Sequence, residues 1–284
     1  MVDYIPYPPE RVASAYELIG KYLINLNLKY CLFNVVFILH GTVTFCFFYI
    51  GTTFLDEHHA QQKALQYWMA ACDLRQSLGI EKPLNLTNTS KLQLYYRNTR
   101  EFRTRSDLEA ISHNVDELRL QSLLICERVL KQSHKDMIYR LMYRGAAYAD
   151  SLQYQHCIDL WIRALELRVE KDTILFGDTF FTAQALVNLF LDLHAKNRAG
   201  LLSSQRVRVE DVISIIELLV SRLTESHNLL YVRPQFKRQM ENYNTILKII
   251  THLLHLLTRI MPSSREIQSD PYQPAPEIVN QQGR

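Results

Sequence analysis

The chain has 284 residues, 48% of them hydrophobic and 21% charged, with a formal net charge of +3. Such proportions fit a folded globular protein, and a charge this mild, with no dense Lys/Arg stripe interleaved with aromatics, argues against nucleic acid as the partner. Only 8 Gly and 9 Pro punctuate the chain, which disfavours a turn-rich sandwich or barrel and favours long helices.

In chain order, residues 1–20 read as a Pro-Tyr lead-in and a first short helix over 10–20, with Val12, Tyr16 and Ile19 at helical spacing. Residues 21–51 form an anomalous apolar insert. Residues 54–79 are predicted helical, with Ala64, Leu65, Trp68 and Ala71 on one face. Residues 80–105 are looser, with Pro83 among Asn, Thr and Ser. An amphipathic helix is expected over 107–131, and a helix pair broken near Asp150 and Ser151 over 138–168. Helix 173–196 has Asp172 or Thr173 as cap and Gly200 beyond its end. Helices 209–226 and 235–260 follow, and Pro262 stops the last. Residues 263–284 are rich in Pro, Gln and Ser and predict a disordered tail. The sequence thus divides into 1–20, 21–51, a helical domain over 52–262, and 263–284.

A repeat emerges from these helices. The tetratricopeptide pattern asks for a large residue at position 4, a small one at 8, an aromatic at 11, Ala at 20, an aromatic at 24 and Ala at 27. Counting from Ile138, these are Leu141, Gly145, Tyr148, Cys157, Trp161 and Ala164. Small Gly145 and Cys157 let two helices approach, while Tyr148 and Trp161 fill the space between them. A second copy runs through Gly51, Phe54, Ala64, Trp68 and Ala71, with one extra residue in its turn. Both Trp residues of the chain fall at the same repeat position. The expected fold is all-α, a tetratricopeptide-like array of helical hairpins, an α-solenoid.

Signals for chemistry are weak. Among the five Cys residues, Cys72, Cys126 and Cys157 fall on predicted helices and read as small buried residues of a reducing compartment. His58 and His59 lie in a turn without further ligands at metal spacing. His252 and His255 face a groove or sit in the core. No phosphate loop or nucleophile elbow occurs. Arg206, Arg208, Arg222, Arg233, Lys237 and Arg238 read as a solvated helix surface, with a patch for an acidic partner as the alternative. No catalytic, cofactor-binding or metal-binding residue is assigned, no cofactor is expected, and the chain is read as a non-enzyme.

Several runs resemble the middle segment of the Fem (feminization) family: Asp116-Glu-Leu-Arg-Leu-Gln-Ser-Leu-Leu-Ile-Cys-Glu-Arg-Val-Leu130, Tyr143-Arg-Gly-Ala-Ala-Tyr-Ala-Asp150 and Cys157-Ile-Asp-Leu-Trp-Ile-Arg-Ala-Leu165. So do Glu17-Leu-Ile-Gly20, Thr53-Phe-Leu-Asp56 and Ala64-Leu-Gln-Tyr-Trp68. The resemblance implies the central tetratricopeptide-like block of a cullin–RING ubiquitin ligase substrate receptor. Partners would then be degron-bearing substrates, elongin and a cullin, in the cytoplasm and also the nucleus. The family's ankyrin Thr-Pro-Leu-His-x-Ala signature and its elongin–cullin box do not occur in this sequence. No degron-binding residue is therefore carried over, and the chain is expected to be a fragment of a receptor. A generic tetratricopeptide scaffold is the alternative. Its co-chaperone version is disfavoured, because clamp positions 2, 5, 6 and 9 hold Tyr139, Met142, Tyr143 and Ala146.

The insert leaves three readings open. Residues 31–50 carry no charge, and twenty helical residues span about 30 Å, enough for a bilayer. A membrane-tethered adaptor would follow, although Asn34, His40, Gly41, Thr42 and Thr44 dilute the apolarity. An ordinary buried helix is the second reading. The third is a translated intron, favoured by the resemblance, in which Glu-Leu-Ile-Gly runs directly into Thr-Thr-Phe-Leu-Asp. If the insert folds with the chain, its end substitutes for the first helix of the hairpin, with Phe47, Ile50 and Gly51 at repeat positions 4, 7 and 8.

Overall fold

The computed structural model describes residues 33–79, 90–130, 134–201, 205–232 and 237–261. The helix expected over 10–20, the stop at Pro262 and the tail over 263–284 lie outside them. The described residues are all-α, with no strand among them, and they fall into two compact units that divide between Asp172 and Thr173.

The first unit runs through α1 (Phe33–Asp56), α2 (Gln61–Leu78), α3 (Ser90–Tyr95), α4 (Arg105–Ile111), α5 (Val115–Val129), α6 (Lys135–Asp150) and α7 (Tyr154–Lys171). Helices α1 and α2 form one antiparallel hairpin, α6 and α7 another, and α5 packs against both α1 and α6. Helix α5 is the centre of the unit. Every residue from Leu120 to Glu127 is buried, as expected of a helix surrounded by others.

Local chemistry sets these boundaries. Helix α2 ends on Gly79, whose φ of +62° places it in the left-handed region while its N–H caps the carbonyls of Arg75 and Gln76. The helix expected over 107–131 is two helices. Thr104 and Asp107 form a capping box that starts α4, and the Asn114 side chain accepts from the Glu117 N–H to start α5. The helix expected over 54–79 is likewise broken, at 57–60, where the Ala60 N–H bonds back to the Phe54 carbonyl. From residue 90 on, the segment expected to be loose contributes more core than its composition promised. Tyr95, Tyr96 and Phe102 are buried, and the Gln121 side chain pins that segment by accepting from the Phe102 N–H and donating to the Arg100 carbonyl.

One helix, α1, crosses the 51/52 boundary of the sequence-based domains. Its second half belongs to the protein core, with Phe47, Phe48, Ile50 and Leu55 buried. Phe48 meets Phe102 and Trp68 meets Phe102 at ring-centroid distances of 5.9 and 5.6 Å. Among the described residues no helix is long and apolar enough to cross a membrane. Within 44–50, the buried Thr44, Phe47, Phe48 and Ile50 pack inside the helical unit.

The second unit holds α8 (Gly177–Arg198), α9 (Val209–Ser221), α10 (Leu223–Leu229) and α11 (Lys237–Ile260). Helix α11 packs on both α8 and α9 through Ile246, Ile249, Ile250, Leu253 and Leu256, a stripe at 3.6-residue spacing. Helix α8 starts four residues later than expected, with Phe176 at its N-cap. The Asn242 amide donates to the Leu175 carbonyl at 2.7 Å and ties that preceding turn to α11.

Candidate protein-interaction surface

Each hairpin is closed by the same device. A Cβ on Gly51 would stand 2.3 Å from the Trp68 indole, and one on Gly145 would stand 2.4 Å from the Trp161 indole. Only a glycine admits the ring at either place. The Trp68 Nε1–H then donates to the Phe48 carbonyl at 2.9 Å, and the Trp161 Nε1–H to the Met142 carbonyl at 3.0 Å. The acceptor lies three residues before the glycine in both hairpins. Trp68 is fully buried, whereas Trp161 is partly exposed.

The remaining repeat positions also lie on the packed faces. Leu141, Cys157, Ala164, Ala64 and Ala71 are fully buried. Phe54 is half-buried and stacks on Tyr67 at 5.3 Å. Tyr148 is buried, but its hydroxyl reaches out of the hairpin to donate to Asp116 of α5 at 2.8 Å.

Buried ion pairs cross-link the helices. Arg140 of α6, 6% exposed, reaches Asp56 at 2.5 Å and Glu57 at 2.9 Å at the end of α1. Ser122 of α5 donates to the same Asp56 at 2.6 Å. Arg163 of α7 pairs with Glu127 of α5 at 2.7 Å, and Arg128 of α5 grips Glu101 through two nitrogens. A planar guanidinium suits such bidentate, water-poor contacts. Burial opposes the charge of Arg140, yet the surrounding acids keep its pKa above that of a free guanidinium.

Between α5, α6 and the α1–α2 turn lies a cleft of about 330 Å³. Its α6 wall presents Tyr139 and Tyr143, 65% and 53% exposed, with nearly parallel rings 6.2 Å apart. Arg140 and Arg144 lie beneath, Arg119 and Leu123 form the α5 side, and Asp56, Glu57 and His59 close the end. Repeat positions 2 and 6 hold the two tyrosines in the sequence. Arg119 escaped notice there because α5 lies outside both glycine–tryptophan hairpins.

Comparison with known proteins bears on what this surface belongs to. No family model matches the chain. The mouse "Protein fem-1 homolog A-like" is 31% identical over 223 residues, covering 76% of this chain and 32% of that protein. Zebrafish "Protein fem-1 homolog A" is 33% identical over 214 residues, with 74% and 33% covered. Xenopus laevis "Protein fem-1 homolog C" is 32% identical over the same length, with the same shares covered. The chain belongs to the Fem family. It spans about a third of the length of the curated relatives it matches.

Other residues singled out in this Fem-family sequence fall as follows. Cys72, Cys126 and Cys157 are buried free thiols, and Cys46 is half-buried; burial pushes the Cys157 thiol up to about 12. Cys31 lies outside the described residues. His58 and His59 are exposed in the α1–α2 turn. His252 and His255 are exposed on α11, not core residues, because the buried stripe of that helix passes through Leu253 and Leu256 instead. Arg206, Arg208, Arg222, Lys237 and Arg238 are all exposed; Arg233 lies outside the described residues. Among the described residues no group of His, Cys, Asp and Glu could hold a metal ion.

Proposed function

We propose that this chain supplies the central helical block of a substrate-recognition subunit of a cullin–RING ubiquitin ligase. Its contribution is a non-catalytic surface in ubiquitin-dependent protein degradation, in the cytoplasm and nucleus. Family membership over three quarters of the chain carries the reading. The stretch is a helical array whose hairpins are closed by buried contacts and whose α6 face stays open to solvent, the geometry of a protein-holding surface. The block is 52–262 together with the turns of α1 that complete its first hairpin. Degron-bearing substrates and cullin–RING components are the proposed partners.

A block exchange tests the reading. The corresponding stretch of a Fem-1 homolog A protein is replaced by this one, and turnover of a degron-bearing reporter is followed in cells lacking the native receptor. The chimera is expected to restore turnover. A chimera that is folded and abundant yet leaves the reporter stable would overturn the assignment.

A further inference from the structure

We propose that the cleft beside α6 is a peptide-docking site that takes an acidic side chain on Arg119 and an adjacent large apolar side chain on Tyr139 and Tyr143. The charges of the cleft lead to this occupant. Arg140 is satisfied by Asp56 and Glu57, and Arg144 is paired with Asp116. Among the described residues Arg119 has no ion pair or hydrogen bond, although it is partly buried in the cleft wall. The cleft therefore lacks one negative group opposite a guanidinium, and a carboxylate matches that fork with two parallel N–H···O bonds.

The tyrosines set the second half of the occupant. Their rings are exposed, lie within 19° of parallel, and are anchored on a helix whose other face is locked in the hairpin. Rigid aromatic surface of this kind, beside a guanidinium, is the composition that dominates protein–protein hot spots. An extended segment from a partner protein presents neighbouring side chains at about 3.3 Å per residue. It can thus lay a carboxylate and an apolar side chain into a cleft of this size together.

This site deepens the receptor reading and rests on the chain being a protein-binding block. The two tests still fail separately. Loss of peptide selection leaves the block-exchange result standing, and a failed exchange does not touch a mapped peptide site.

The test is selection of randomised decapeptides, displayed without a free C-terminus, on the full chain. The expected outcome is enrichment of Asp or Glu at one position with an aromatic or large aliphatic residue nearby. Arg119→Lys keeps the acidic preference, and Arg119→Glu replaces it with Lys or Arg. Tyr139→Ala with Tyr143→Ala removes the apolar preference. A selected peptide loses about tenfold or more in affinity for Arg119→Ala, the range for a hydrogen bond to a charged group. No consensus, or a consensus unchanged in Arg119→Glu, overturns the site. The charge swap separates loss of the site from loss of the fold, because a misfolded variant would select nothing.

Discussion

The Gly145 backbone lies so close to Trp161 that a single added methyl group would stand 2.4 Å from the indole. The ring has little room to retreat, since its Nε1–H is held by the Met142 carbonyl. Alanine is favoured over glycine within a helix by about 1 kcal/mol, but overpacking costs about 1–3 kcal/mol. Gly145→Ala is therefore expected to lower stability, and Gly51→Ala to lower it more, because Trp68 is fully buried. Urea unfolding of the two variants checks the sign and the order.

Helix α1 is expected to carry core weight. Phe48 is buried against Phe102 and lies under the Arg128 guanidinium at 4.8 Å. Phe48→Ala is expected to cost about 3–5 kcal/mol, visible as an earlier denaturation midpoint. A variant as stable as the parent would place this segment outside the fold.

The Arg140 pairs are expected to be costly to break and less costly to remove whole. Arg140→Met leaves Asp56 and Glu57 without their cation and is expected to cost about 3–5 kcal/mol. Adding Asp56→Asn should recover part of that loss, because an unpaired carboxylate is no longer held in the hairpin. A double-mutant cycle on thermal or urea midpoints measures the coupling.

Acid should act through Asp116. Partial burial raises its pKa, but the Tyr148 hydroxyl, Arg144 and Arg97 outweigh that and hold it below the usual carboxylate range. A group depressed in the folded state favours folding above its unfolded pKa of about 3.9, and that share disappears as pH falls through the folded value. Between about pH 5 and pH 3 the parent should lose more stability than Asp116→Asn. Equal losses would show that the Tyr148–Asp116–Arg144 cluster contributes nothing.

The parts of this fold legible in the sequence are those that depend on residues a fixed distance apart. Gly145 and Trp161 stand sixteen apart in the repeat pattern, and Gly51 and Trp68 seventeen apart with the extra turn residue, so spacing alone marks both hairpins. The break between α4 and α5 was not legible, because the apolar spacing of Leu108, Ile111, Val115 and Leu118 runs across it. Arg140 and Arg163 were not legible as core residues. Each charge reads as solvated until its partner is brought in, and their partners lie as far as 84 and 36 residues away. Arg119 was hidden for the opposite reason: its place in the cleft depends on α5 packing beside two hairpins, which no local pattern records.

The most direct measurement is hydrogen exchange at the two indole N–H groups, followed by ¹⁵N-resolved spectra of the intact chain. If α1 completes the first hairpin, the Trp68 Nε1–H, buried and bonded to the Phe48 carbonyl, exchanges only when the unit unfolds. The Trp161 Nε1–H, in a partly exposed ring, exchanges faster. Loss of the Trp68 signal at the rate of a solvent-exposed indole would contradict the assignment of residues 44–51 to the repeat, and with it the two-hairpin surface.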